Sequence, residues 1–296
     1  MKKKIFALLN PHSGSGNTLE DTIRALHEHW EDSDNQVFFQ LSRDKEDAQI
    51  KIAEAKAWGA ELILCSGGDG TLNSLLPALV EHGIPVAFIP TGSVNGFARH
   101  FNIPQDVAKA VKALKGGEDR VIDVGTANGV PFVLSCSFAW EASLIKLFED
   151  LPTRGIPTYL AAAGITAFAY APQAHEITGS DGTLITFEEP MLLSVTNLST
   201  YTEVDLVSED AQEDDGLLEL VVVKKENMLR LTASIGKLRE GGVEELDMVE
   251  TFRDSSFHIK RQDAADIQID GEVIPDQTDV TIEVMKKALH VRVPQR

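Results

Sequence analysis

CSGGDGTLNSLLPAL, residues 65–79, sets three glycines, an aspartate and a threonine directly ahead of leucines at helical spacing. The apolar run ELILCS enters it, so the stretch reads as strand, glycine turn and helix. Leu72, Leu75, Leu76, Leu79 and Val80 share one side of that helix, which Pro77 is expected to bend. Glycine lets main-chain N–H groups converge, and a helix start adds free donors and the positive end of the helix dipole. Such a turn is either a tight structural corner or a seat for an anion.

The same unit recurs on both sides. IFALLN is followed by TLEDTIRALHEHW, QVFFQLS by EDAQIKIAEAKAWGA, and IPVAFIP by a loop and QDVAKAVKALKGG. Strand-helix alternation over residues 1–122 predicts an α/β domain with a parallel sheet covered on both faces. Leu19, Ile23, Leu26 and Trp30 form the inner side of the first helix. Beyond residue 122 the period changes. IDVGTA and VPFVLSCS are joined by Asn128-Gly129, a hairpin signal, and SSFHIKR, DIQIDGE, DVTIEVM and LHVRV read as further strands. A helical insertion is expected over about 141–171 and a helix in ENMLRLTASIGKL. The boundary falls near Asp123, giving a domain of 1–122, a mainly β domain of 123–296, and a cleft expected between them.

Composition narrows the function. The 296 residues carry a net charge of −19, which argues against a nucleic-acid partner. The two cysteines, Cys65 and Cys136, lie in apolar runs and fit buried thiols in a reducing compartment. MKKKIFALLNP has too short an apolar segment for a signal peptide and reads as a first strand. The uncharged stretch 155–174 is broken by Pro157, Gly164 and Pro172, a poor membrane span. The expected location is cytoplasmic, where the sequon Asn197-Leu198-Ser199 has no consequence.

Ligands of open parallel sheets bind beyond the carboxyl ends of the strands. Three loops at that edge are glycine-rich: Asn10-Pro11-His12-Ser13-Gly14-Ser15-Gly16, Gly67-Gly68-Asp69-Gly70-Thr71 and Pro90-Thr91-Gly92-Ser93-Val94-Asn95-Gly96. Together they suggest a nucleotide. Neither the P-loop nor the dinucleotide pattern fits, and no lysine follows the glycines. Phosphate charge would then fall to main-chain donors, a divalent cation and Arg43 or Arg99. Two acidic turns follow later, Glu213-Asp214-Asp215-Gly216 and Asp270-Gly271-Glu272. Read as one continuous strand, IQIDGEV puts Asp270 and Glu272 on the same face, opposite the isoleucines, poised for proton transfer. The alternative for each acidic stretch is a simple turn.

NPHSGSG, SGGDGTLN, PTGSVNGFAR, DDGLLEL and IDGE, in this order over nearly the whole chain, resemble the diacylglycerol-kinase-like lipid kinases, the group with the sphingosine and ceramide kinases. The resemblance implies a nucleotide-binding α/β domain and a β-sandwich domain. By position, Asn10, Pro11, His12, Ser13, Gly14, Gly67, Gly68, Asp69, Gly70, Thr71, Leu72, Asn73, Ser93 and Asn95 would contact ATP, with Ser42 a weaker candidate; His12 could equally be an exposed residue with no role. It also implies Asp270 as general base with Glu272 nearby, Asp69 beside the phosphates organising Mg²⁺, and a cation held by Asp215 with main-chain oxygens of Gln212 and Leu217. This chain departs from the family in Ser74 (commonly glutamate), Ser93 (threonine) and Gly96 (aspartate), and it lacks the glycine-rich turn ahead of DDG. The expectation is an ATP-dependent, Mg²⁺-requiring kinase acting on a diacylglycerol-like lipid through transient peripheral membrane contact, with a homodimer open. The alternatives are a catalytically reduced nucleotide- or lipid-binding regulatory homologue, or an enzyme resembling NAD kinase, which shares GGDGT.

Overall fold

The computed structural model describes residues 2–14, 18–140, 143, 147, 166, 170–198, 212–224 and 248–295. The expected helices over 141–171 and in ENMLRLTASIGKL lie almost wholly outside them. The chain forms two compact units, residues 1–123 with 286–296, and residues 124–285.

In the first unit, β1 (Lys3–Leu9), β2 (Asn35–Leu41), β3 (Leu62–Gly67) and β4 (Val86–Pro90) make a parallel sheet in the order β4-β3-β1-β2. β3 and β4 are buried along their whole length, as continuous apolar runs inside a parallel sheet require. The helices are α1 (Thr18–Trp30), α2 (Lys45–Trp58), α3 (Asp69–His82), α4 (Gly96–His100) and α5 (Val107–Lys115). Consecutive β2 residues point to opposite faces, and Phe39 meets His27 of α1 while Phe38 meets Trp58 of α2. α1 and α2 therefore cover opposite faces. α5 joins α1, with Trp30 Nε1 donating to Val111 O at 3.1 Å, and α3 joins α2, with Gln49 Nε2 donating to Ser74 O at 3.1 Å. Asp44 and Asp106 cap α2 and α5 by accepting from Asp47 N and Lys109 N.

Two sequence expectations change here. α4 replaces the expected loop after β4, because five residues are too few to show a helical period. The division at residue 122 also needs revision, since residues 286–296 return to the first unit. Val291 pairs parallel with Val86, and Arg292 Nε donates to Leu114 O at 2.9 Å. Leu289, Val291 and Val293 are buried there.

The second unit is antiparallel and sandwich-like. β5 (Glu118–Ala127) enters it and pairs with β6 (Val130–Phe132) through the Asn128-Gly129 hairpin. β7 (Ser135–Ser137), β8 (His175–Gly179), β9 (Leu184–Phe187), β10 (Pro190–Thr196), β11 (Leu218–Lys224), β12 (Val249–Asp254), β13 (Ser256–Ile269) and β14 (Glu272–Val293) follow. The order β12-β11-β10-β7-β13-β14 continues into β5, and β8 and β9 extend from β13. Cys136, Val195, Leu220, Ile267 and Ile269 join one apolar core. Their neighbours alternate to the other face, where Ser135, Ser137, Ser194, Thr196, Glu219 and Gln268 form a buried polar row.

Candidate functional site

β1, β3 and β4 deliver the three glycine loops to one edge, and hydrogen bonds tie them together. Asn10 Nδ2 donates to Thr71 Oγ1 at 2.9 Å, linking the first loop to the second. Asn10 Oδ1 accepts the His12 N–H at 2.9 Å, which curls the first loop on itself. Thr91 Oγ1 donates to Ser13 Oγ at 2.9 Å, and its N–H donates to Gly67 O at 2.8 Å, linking the third loop to both others. Glycine is required by close approach: a Cβ on Gly67 would lie 2.4 Å from Thr71, and one on Gly92 would lie 2.5 Å from Gly68 Cα. At the start of α3, Gly68 offers no side-chain cap, and Gly70 is exposed with open space around its Cα. A helix start of this kind presents main-chain donors, the arrangement that suits an anion.

A cavity of about 750 Å³ adjoins the first loop. Pro11, His12, Ser42, Phe39, Arg43 and Lys51 are among its lining residues. The rings of His27 and Phe39, also in its wall, lie 4.8 Å apart and 32° from parallel. Sequence reasoning reached His12, Ser42 and Arg43 but missed Phe39, His27, Lys51 and Thr91. Phe39 belongs to an alternating strand that reads as core. Thr91, a hydroxyl inside a glycine loop, was legible and passed over. Other expected contacts shape the loops from within: Leu72 is buried, and Asn95, at φ +54°, bonds Gly92 N–H, Gly92 O and Gln105 Oε1. Asn73 is also buried, while Ser93 and Gly14 are exposed.

Asp69 lies where α3 begins and receives the start of α4. Its Oδ2 accepts from Gly96 N–H at 3.0 Å and its Oδ1 from Phe97 N–H at 3.2 Å. Burial pushes its carboxyl above the ordinary range, and the amides of Gly96, Phe97 and Asn95 counter only part of that rise. Gly96, the departure from the aspartate of the family pattern, thus supplies a peptide N–H to this carboxylate.

The expected continuous strand through IQIDGEV is not formed. Asp270 and Gly271 have φ of +46° and +90° and make a two-residue hairpin between Ile269 and Glu272. Asp-Gly favours this geometry because both central residues need positive φ. Asp270 is 4% exposed, and its carboxylate accepts from Val133 N–H (2.7 Å), Leu134 N–H (2.8 Å) and Ser135 N–H (2.9 Å). It fixes the chain leading into β7. Glu272 opens β14 and is half-buried.

Asp215 anchors its own turn. Its Oδ1 accepts from Leu217 N–H at 2.9 Å, and its Oδ2 pairs with the Arg253 guanidinium. A carboxylate committed to a peptide and a guanidinium does not fit a resident cation, and among the described residues no three His, Cys, Asp or Glu side chains are grouped to hold one. Gln212 is exposed beside this turn.

Two groups in the second unit went unnoticed in the sequence. Ser137 Oγ and Ser194 Oγ lie 2.8 Å apart in the polar row, and Ser135 Oγ, 1% exposed, has no hydrogen-bond partner among the described residues. His175 is fully buried, with Nδ1 2.9 Å from Gln173 O and Nε2 without a hydrogen-bond partner among the described residues. Burial pushes its imidazole down to about 4, and the Arg261 charge adds to the shift. Cys65 is inert by the same cause, its thiol pushed up to about 12 by burial.

Fold and loops define a class: a glycine-loop α/β unit joined to a sandwich-like β unit. Residues 4–127 match the family described as "Diacylglycerol kinase catalytic domain", and residues 141–293 match the "YegS C-terminal NAD kinase beta sandwich-like domain". A protein of Pseudomonas syringae pv. syringae (strain B728a), named "Probable lipid kinase YegS-like", is 30% identical over 86% of this chain and 83% of its own length. A "Diacylglycerol kinase" of Bacillus subtilis (strain 168) is 30% identical over 62% of this chain and 61% of its own. The crystal structure of a diacylglycerol kinase from Bacillus anthracis str. Sterne shares the fold, with a TM-score of 0.71 at 21% identity over 98% of this chain and 97% of that one. The chain belongs to the diacylglycerol-kinase-like lipid kinase family. No helix among the described residues is long and apolar enough to cross a membrane.

Proposed function

We propose that this protein is an ATP-dependent lipid kinase that phosphorylates a hydroxyl of a diacylglycerol-like acceptor. The observation that carries the reading is the set of three hydrogen-bonded glycine loops beside a cavity of about 750 Å³. Uncapped amides at the start of α3 suit the phosphates, and the rings of His27 and Phe39 give the cavity wall an aromatic surface for a nucleobase. Lys51 and Arg43 add positive charge at the cavity wall. A divalent cation enters with the nucleotide as part of that substrate and offsets its charge.

In the transfer, the acceptor O–H gives up its proton, its oxygen bonds the γ-phosphorus, and the bond to the β–γ bridging oxygen breaks to release ADP. Asp69 is the better-placed proton acceptor: it sits among the nucleotide loops, and its raised carboxyl is a stronger base than an ordinary aspartate. Asp270 takes three peptide N–H groups where Asp69 takes two and belongs to the second unit rather than to the glycine loops, so we assign it a positioning role, with Glu272 the second carboxylate of that turn.

The test is transfer of labelled γ-phosphate from ATP to vesicle-borne diacylglycerol. Turnover that Asp69→Asn abolishes supports the reading, and turnover unaffected by it removes Asp69 from the chemistry. A purified protein that binds ATP yet phosphorylates no lipid alcohol supports a second reading, a nucleotide-binding regulatory homologue. The observation favouring that reading is the pair of peptide N–H groups, one of them from Gly96, occupying both Asp69 oxygens.

A further inference from the structure

β2, with the sequence NQVFFQL, ends the parallel sheet and pairs with β1 alone among the described strands. Asp34 O accepts from Lys3 N–H at 2.7 Å, and Ser42 N–H donates to Leu9 O at 3.0 Å. Even-numbered residues of β2 therefore turn their peptide groups toward β1. Along a strand these directions alternate, so Val37, Phe39 and Leu41 turn theirs outward. Asn35 does the same, but its N–H is already held by Asp32 Oδ1 at 2.9 Å.

Soluble proteins blunt such an edge with lysine, proline or a bulge. Residues 35–42 contain no charge and no proline, and β2 keeps unbroken register with β1 from Asn35 to Leu41. Phe38 and Leu41 are 45% and 47% exposed.

We propose that β2 pairs antiparallel with β2 of a second copy of this chain, about a two-fold axis at Phe38, so that the two parallel sheets join edge to edge. The sequence is close to self-complementary about that point. Gln36 faces Gln40 of the other copy, Asn35 faces Leu41, and Val37 faces Phe39. Val37 and Phe39 carry outward peptide groups, so they exchange both N–H···O bonds across the axis, and Leu41 N–H reaches Asn35 O. Phe38 meets its own equivalent as a non-hydrogen-bonded pair, with Cα atoms about 4.5 Å apart. Trp58, whose ring is 5.6 Å from Phe38 and carries Lys4 Nζ at 5.1 Å, extends the aromatic contact on that side.

Charge favours the same arrangement. Asp34 precedes the strand and Arg43 follows it, so antiparallel pairing brings Asp34 near the other copy's Arg43, while Asp32 is already paired with Lys115. Elsewhere two chains of net charge −19 repel, and an uncharged strip is where they meet at least cost. Salt screens the remaining repulsion and strengthens the dimer. A strand of this length spans about 23 Å, and its contact falls at the small end of specific interfaces, so the dimer dissociates on dilution.

Analytical ultracentrifugation over a concentration series, in low and high salt, reads the association directly. Val37→Pro removes an outward N–H without touching the β1 ladder, and loss of its symmetry-related bonds is expected to weaken the dimer by about ten- to a hundredfold. Phe38→Cys places two thiols within disulfide reach across the axis, whereas both native cysteines are buried. Mild oxidation of this variant is expected to yield a covalent dimer, and Gln36→Cys far less. A chain that stays monomeric at every concentration overturns the proposal. So does a dimer that withstands Val37→Pro and leaves Phe38→Cys uncross-linked, since its interface lies elsewhere.

Discussion

Asp69 and Asp270 both precede a glycine, and both have their carboxylates met by peptide N–H groups, yet the backbone around each supplies different donors. Asp69 faces the start of a short helix and takes two amides at 3.0 and 3.2 Å. Burial outweighs those bonds and pushes its carboxyl up. Asp270 sits in a left-handed turn and takes three shorter bonds from consecutive residues, 133–135. The first is a carboxylate held above its ordinary range beside the glycine loops, and the second braces the chain leading into β7. Sharing a dipeptide does not make two aspartates alike; the backbone conformation around each decides which peptide N–H groups reach it.

The sharpest way to break this comparison is to remove the charge from each in turn. Asp69→Asn is expected to lower kcat by about 10²- to 10⁴-fold, with nucleotide affinity nearly unchanged. Asparagine keeps an oxygen for one amide and relieves the buried charge, so melting temperature should barely move. In the parent protein, activity should fall on acidification through a midpoint above the ordinary carboxylate range, because the base must be ionised. A kcat profile flat across that range would return the role to another group.

The second unit has its own buried titratable group. His175 stays neutral in the fold down to about pH 4, while the unfolded chain takes up its proton near 6.5. Its contribution to stability is whole above 6.5 and is lost as pH falls toward 4, roughly 3 kcal/mol across the window. Unfolding free energies measured between pH 7 and 4 should show this slope, and His175→Leu should flatten it.

Asp270→Asn turns an amide group toward peptide donors and is expected to cost about 1–3 kcal/mol of stability, read by denaturant unfolding. Its kcat should fall far less than that of Asp69→Asn, and a reversed ranking would exchange the roles. Gly67→Ala forces a methyl against Thr71, and the overpacking, about 1–3 kcal/mol, should appear as weaker nucleotide binding by titration calorimetry. Gly271→Ala meets no atom within 4 Å but must hold φ +90°. About 1 kcal/mol of stability should be lost there, the smallest change of the set, with binding untouched.

Much of the fold was legible because it rests on periodicity. Four strand-helix pairs of the first unit and the Asn128-Gly129 hairpin stand where the pattern puts them. The glycine loops were legible too, since bare backbone at a helix start has few other uses. What the sequence hid depends on partners distant in the chain. Nothing in IQIDGEV shows that residues 133–135 donate to Asp270, so alternation suggested a strand where a turn forms. Nor does DDGLLEL show that Arg253 takes the Asp215 carboxylate. Phe39 and His27 share a cavity wall only because α1 folds back over β2. The return of LHVRV to the first unit gives no local signal, because a buried strand has the same composition in either unit.

That return governs the order in which the units complete their folding. A ribosome releases residues 1–123 long before β14, so the nascent first unit waits with β4 uncovered on the side where Val291 later docks. The second unit must emerge in full before residues 286–296 close the first. Trimming those residues should therefore expose apolar surface on the amino-terminal unit, and a protein cut near residue 285 is a candidate for chaperone capture and proteolysis, although every glycine loop is still encoded.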